Sequence, residues 1–216
     1  MLTPTRIESE ELLDDGDVTS ADRERSLRDL RRINKYLGGI GVYRSLVRTF
    51  APRSILDLGT GTSDLLEAVP DIPLRVGLDF NIEHLLYLRK GSRVHRVVGD
   101  VHHLPFKESA VDLVTSSHFF HHFSAEENAA ILADSRRIAR KGVAFTDTRR
   151  HYVPLILVLL LSALRLVGRV TRLDAPASVR QGYTTAEVRA LAPSAGASRW
   201  KVIRKWPFRF AVLLWR

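Results

Sequence analysis

Apolar residues along this chain fall into two rhythms: short continuous runs and longer stretches at helical spacing. From Ala21 to Phe50, the positions Leu27, Leu30, Ile33, Leu37, Tyr43, Leu46, Val47 and Phe50 recur with helical period. Gly38-Gly39 divides the stretch into two helices. The runs Ser54–Leu58, Leu74–Asp79, Arg96–Gly99, Val111–Ser116 and Gly142–Thr146 read as buried strands. Helical segments lie between them. One starts near Ser63, a second is capped by Asn81 and runs through Arg89, and a third opens with a Ser124–Glu127 capping box. Thr184-Thr185 caps another through Leu191, and two strands joined at Pro207 close the chain. The run Val153–Leu164 is apolar all round and is followed by Arg165, Arg169 and Arg172. It is shorter than the roughly 20 residues of a membrane span. It reads first as a buried or substrate-covering helix, with a membrane-surface helix as the alternative.

Composition narrows the classes. A chain of 216 residues with 45% hydrophobic content suits a single α/β domain. The absence of cysteine excludes disulfides, thiolate nucleophiles and Cys-bound zinc. The first residues are polar and lack an apolar signal core, so a cytoplasmic protein is expected, with peripheral membrane association kept open. Charge is uneven. Glu8, Glu10, Glu11, Asp14, Asp15 and Asp17 make residues 1–20 an acidic segment, expected to be a flexible tail. From Ser135 onward, 17 Lys and Arg stand against 3 Asp and Glu. Such a basic half suits an anionic partner or a solvated basic face.

The chemistry gathers at Asp57-Leu58-Gly59-Thr60-Gly61-Thr62-Ser63-Asp64, where a strand turns into a helix. Glycines there let a ligand approach the backbone. A dinucleotide fingerprint would need a third glycine where Asp64 stands, and acids flanking the loop would repel a pyrophosphate. They suit a cationic, phosphate-free cofactor, and S-adenosylmethionine meets both conditions. Asp79 ends the second strand 22 residues beyond Asp57, about where a carboxylate serves a nucleoside ribose. Asp100 ends the third strand, so three acids close three successive strands at the edge where open α/β sheets bind ligands.

On Asp57, Gly59 and Gly61, and on the segment Gly99-Asp100-Val101 through Leu104-Pro105-Phe106, the chain resembles the class I S-adenosylmethionine-dependent methyltransferases over about residues 45–216. The resemblance implies a doubly wound, seven-stranded, Rossmann-like α/β sheet, mostly parallel, with a terminal antiparallel hairpin. It implies helices 21–50 over the cofactor, with Tyr36 and Tyr43 read first as core, and a methyltransferase domain 51–216 interrupted by an apolar helical insertion 153–172. S-adenosylmethionine would meet Asp57, Gly59, Thr60, Gly61 and Ser116, with Asp79 on the ribose, Asp100 near the adenine amino group, and Phe80 and Val101 against the ring.

In this fold the loop after strand four faces the sulfonium. Small-molecule members carry a His-His-Leu or His-His-Phe there, matched by His121-His122-Phe123, with His118 in addition. Histidine titrates near neutral pH, so His121 and then His118 are candidate bases. His122, Asp147, Arg149 and Tyr183 are candidate acceptor-binding residues. His102-His103 lacks metal-ligand spacing, and no metal is assigned. The expected activity is O- or C-methylation of a small, apolar, phenolic or quinone-like acceptor, roofed by helix 153–168. The alternative is a nucleic-acid methyltransferase using the basic half. It is disfavoured because Ser116-Ser117-His118-Phe119 replaces the Asn/Asp-Pro-Pro-aromatic turn of base-amine methylases, and cytosine C5 chemistry needs a cysteine.

Overall fold

The computed structural model describes residues 3–9, 11–14, 18–87 and 91–216. Glu10, Asp15, Asp17 and the expected helix end at Arg89 lie outside them. After a 3-10 turn at Leu12–Asp14 come α1 (Ser20–Tyr36) and α2 (Gly39–Phe50), separated at Gly38 in the left-handed region. Five strands follow, with α-helices between them except from β3 to β4: β1 (Ser54–Leu58), α3 (Asp64–Glu67), β2 (Leu74–Asp79), α4 (Ile82–Leu86), β3 (His95–Val98), β4 (Val111–Ser117), α5 (Ala125–Ile138) and β5 (Ala139–Thr148). The chain ends with α6 (Tyr152–Ala163), α7 (Arg169–Gln181), α8 (Thr185–Leu191), β6 (Arg199–Lys205) and β7 (Arg209–Trp215).

The sheet order is β3-β2-β1-β4-β5-β7-β6. The first five strands are parallel, and β7 runs antiparallel to both β5 and β6. This is the expected doubly wound sheet with its terminal hairpin. Central strands β1 and β4 are buried at every residue, which is why they read as continuous apolar runs. Helices cover both faces. α2 and α3 pack Tyr43, Leu46 and Leu66 on one, while α5 and α8 pack Leu132, Ile138 and Val188 with Phe120, Phe145 and Phe210 on the other.

Two expectations are corrected. The apolar insertion is two helices, α6 and α7, broken at residues 164–168, and α6 is neither core nor roof. Within it only Pro154 and Leu155 are buried. No helix among the described residues is long and apolar enough to cross a membrane. The acidic N-terminal segment is also packed along its described residues. Backbone N–H groups of Leu12 and Leu13 each donate to Asp174 at 3.0 Å, Arg6 donates to the carbonyls of Gln181 and Phe123, and Leu13 is buried. Glu11 of this strap meets donors on α7 and on the loop after β4, at Ser178 and His121.

Candidate active site

The glycine loop is built by the turn from β1 into α3. Gly59 (φ 62°) and Gly61 (φ 51°) are left-handed, a conformation that side chains rarely adopt. A Cβ on Gly59 would stand 2.2 Å from the Phe119 ring, whereas one on Gly61 would meet nothing within 4 Å. The first glycine lets an aromatic approach, and the second faces open space at the cavity wall. Asp79 ties this loop to β2: it accepts from Gly61 N at 2.8 Å and from Asn81 N at 3.0 Å.

A cavity of about 330 Å³ opens at this edge, within the size range of small-ligand sites. Gly59, Gly61, Asp79, Phe80, Asp100 and Val101 line one part, and His118, Phe119, His121, His122 and Phe123 line another. Its lining includes carboxylates from Glu11, Asp79 and Asp100, with no Lys or Arg among the described lining residues. That charge pattern fits a cationic ligand without phosphate. Asp100 stands exposed at the mouth, held below its ordinary pKa by donation from the His102 backbone and from His103.

Asp57, Thr60 and Ser116 lie behind the cavity wall. The Asp57 carboxylate is buried and accepts from Thr115 Oγ1 at 2.6 Å. Burial raises it to about 6, against the lowering effect of hydrogen bonds from Thr115 and Thr60. Ser116 Oγ donates to the Leu58 carbonyl at 2.8 Å, stitching β4 to β1 under the loop. Tyr43 packs in the core beside them, with its hydroxyl 3.0 Å from Thr115 Oγ1, and Tyr36 is exposed.

The three histidines differ sharply. His121 is buried between two carboxylates: Nδ1 donates to Asp147 Oδ2 at 2.8 Å and Nε2 to Glu11 Oε1 at 3.3 Å. Burial alone would lower its pKa, but the paired acids raise it to about 10. Burial would likewise raise Glu11, yet the hydrogen bond and charge of His121 hold it at about 2. In this arrangement His121 is a pinned cation, not the free base that the sequence reading favoured. His118 sits in a left-handed turn (φ 53°) at the end of β4, with Nδ1 3.5 Å from Thr148 Oγ1 and 3.7 Å from Asp147 Oδ1. Its Nε2 is buried without a hydrogen-bond partner. Burial and the nearby Arg209 guanidinium lower His118 to about 3, so it is neutral. His122 is exposed beside His121, with ring centroids 4.3 Å apart. Glu11, His121 and His122 bring one ligand-type atom each within 4.8 Å of one another. The proton between His121 and Glu11 already joins two of them, and no metal is assigned.

Two expected acceptor contacts lie elsewhere. Tyr183 is a buried post whose hydroxyl donates to the Phe123 carbonyl at 2.6 Å and accepts from Asn128 at 3.2 Å, with Arg6 over its ring. Arg149 faces a separate groove with Arg204, Lys205, Trp206 and Phe208. The expected roof is replaced by Leu27 and Leu30 of α1, Leu13 of the strap and Ser178 of α7. Arg31 and Asn34 of α1 clasp the loop through Thr62 and Asp64. The helical spacing marked Leu27 and Leu30 as an inward face, but no local signal assigned them to a ligand.

Residues 55–142 match the model of a methyltransferase domain family. Over 103 residues the chain is 33% identical to the demethylmenaquinone methyltransferase of Thermotoga maritima, covering 45% of this chain and 44% of that protein. Both likenesses are to methyltransferases, and the family match falls on the strands and loops that build this cavity. The chain spans about half the length of the curated relatives that it matches. The fold is shared with a SAM-dependent methyltransferase from Aquifex aeolicus (TM-score 0.63, 18% identity, 88% of this chain and 96% of that one). It is shared also with the plantazolicin methyltransferase BpumL, solved with a monoazolic desmethylPZN analog and SAH (TM-score 0.68, 16% identity, 90% of each chain).

Proposed function

We propose that this protein transfers a methyl group from S-adenosylmethionine to a small, apolar, acidic hydroxyl or carbon acceptor of phenolic or quinol type. The observation that carries this reading is the cavity wall. It joins a cation-suited half at Asp79 and Asp100 to an apolar half at Leu13, Leu27, Leu30, Phe119 and Phe123, and it includes His118, whose Nε2 is unpartnered. Asp79 and Asp100 would hold the nucleoside, Gly61 would admit it, and Phe80 and Val101 would pack on its base. Asp57 places a carboxyl beneath the loop, where a cationic ligand would favour its charged form. S-adenosylmethionine supplies a methyl already activated on a sulfonium.

The chain's own residues then have to align and polarise the acceptor. His118 lines the cavity and its buried Nε2 is left without a partner, so it would serve as a hydrogen-bond acceptor, with Asp147 3.7 Å from Nδ1 to stabilise the imidazolium. A neutral imidazole with pKa lowered to about 3 aligns a hydroxyl better than it ionises one. The acidity must therefore come from the acceptor, helped by the His121 cation, and this favours phenols and enols over aliphatic alcohols. The demethylmenaquinone methyltransferase likeness supports the quinol direction. A radiolabelled methyl-transfer assay over apolar phenols, quinols and aliphatic alcohols tests the reading. Transfer to phenols or quinols alone is expected, and preference for aliphatic alcohols or RNA would overturn it.

A further inference from the structure

The largest feature that the methyl-transfer site leaves unused is the outward face of α6. Val153, Ile156, Leu157, Leu160 and Leu164 follow the i, i+3, i+4, i+7, i+11 pattern of a single helical stripe, and each is between 42% and 67% exposed. Leu159 and Leu166 widen it, at 48% and 60% exposed. Large contiguous apolar surface on a soluble fold marks an interaction site. The opposite side of α6 packs on α7, so the protein body takes the place of the polar face that an isolated interfacial helix would need.

Charge identifies the partner. From Thr148 to Leu173 the chain has five arginines and no Asp or Glu. Arg165 is exposed at the end of the stripe, and Arg169 is exposed with its nearest acid, Asp22, at 4.0 Å. Arg149 precedes the stripe, whereas Arg150 is buried and paired with Glu187. A symmetric pairing of two such faces would set arginines against arginines with no acid in the segment to relieve them. An anionic lipid surface presents the complementary arrangement, phosphates at the level of the arginines and acyl chains beneath the leucines. At about 1.5 Å per residue, the helix Tyr152–Ala163 spans roughly 18 Å, suited to lying in the interface and too short to cross it.

We propose that α6 and the turn following it dock this protein on a bilayer containing anionic phospholipid, with the leucine stripe among the acyl chains and Arg165, Arg169 and Arg172 at the headgroups. α7 connects this face to the active-site cavity: it packs on α6, supplies Ser178 to the cavity wall, and anchors the N-terminal strap through Asp174. A lipid-borne acceptor would thus be drawn from the surface on which the enzyme sits. The docking itself rests on the exposed face and not on the acceptor reading.

The test is co-sedimentation of the full chain with phosphatidylcholine vesicles, with and without phosphatidylglycerol, across a salt series. Wild type should partition onto the phosphatidylglycerol vesicles, less so as salt rises. The double variant Ile156→Glu/Leu160→Glu should lose at least about tenfold in partitioning on both vesicle types. Arg165→Gln and Arg169→Gln should each lose about fivefold on the anionic vesicles alone. These positions lie outside the cavity, so circular dichroism and S-adenosylmethionine affinity should match wild type, which separates this outcome from failure of the methyl-transfer reading. Absence of wild-type partitioning onto anionic vesicles would overturn the proposal. So would a wild-type dimer that Ile156→Glu/Leu160→Glu converts to monomer, since the face would then belong to a second copy.

Discussion

Glu11 Oε1 lies 3.3 Å from His121 Nε2, on the opposite side of the imidazole from Asp147. One ring therefore fastens the N-terminal strap to the end of β5. Ser178 of α7 also donates to Glu11, so the strap, the helix pair and the loop after β4 meet at one carboxylate.

The strap's contribution to stability should depend on pH with a defined sign. His121 is raised from 6.5 to about 10, so its stabilisation is complete below about 6.5 and is lost as pH rises through about 10. Glu11 is lowered from 4.5 to about 2, so its share is complete above about 4.5 and lost as pH falls through about 2. Glu11→Gln should cost about 1.5–3 kcal/mol near pH ~6, and less above pH ~10. Thermal melts of both proteins across that range measure the difference, and a pH-independent gap would show that the ion pair is not what holds the strap.

Removing the His118 ring should slow turnover by roughly 10²-fold, the scale of lost alignment, while leaving cofactor affinity unchanged. Because His118 is lowered to about 3, wild-type turnover should rise with the acceptor's own ionisation and show no inflection near 6.5. Pre-steady-state rates of wild type and His118→Ala over pH, beside calorimetric binding, check both parts. A histidine-like inflection lost in the variant would restore the role of a conventional base.

Asp79→Ala should weaken S-adenosylmethionine binding by about tenfold or more. Each hydrogen bond from a ribose hydroxyl to a carboxylate contributes roughly 1.5–3 kcal/mol, and the loop also loses its anchor at Gly61 N. Calorimetry gives the affinity, and an unchanged value would remove the nucleoside from this position.

Tyr183→Phe distinguishes a post from an acceptor contact. The hydroxyl joins the Phe123 carbonyl to Asn128 in a buried setting. Its loss should lower unfolding free energy by about 1–3 kcal/mol and leave the acceptor KM unchanged. A raised KM with unchanged stability would place the hydroxyl on the acceptor.

The sequence by itself determined the strand–helix alternation and the position of the glycine loop, while the seven-stranded sheet was implied by the family resemblance. The first two follow from local rules: buried parallel strands are continuously apolar, left-handed turns select glycine, and acids at strand ends share the ligand edge. Tertiary structure decided the state of each titratable group and the use of each apolar surface. The motif placed His118, His121 and His122 together, but only folding put Asp147 and Glu11 on either side of one ring and left another with an unpartnered nitrogen. Glu11 is separated from His121 by 110 positions, a distance that no local spacing rule can read. Likewise α6 is apolar enough to be core, and its exposure arises because α1 and the strap already cover the cavity that it was expected to roof. Hydrophobic pattern states that a surface will avoid water, and three-dimensional packing decides what it meets instead.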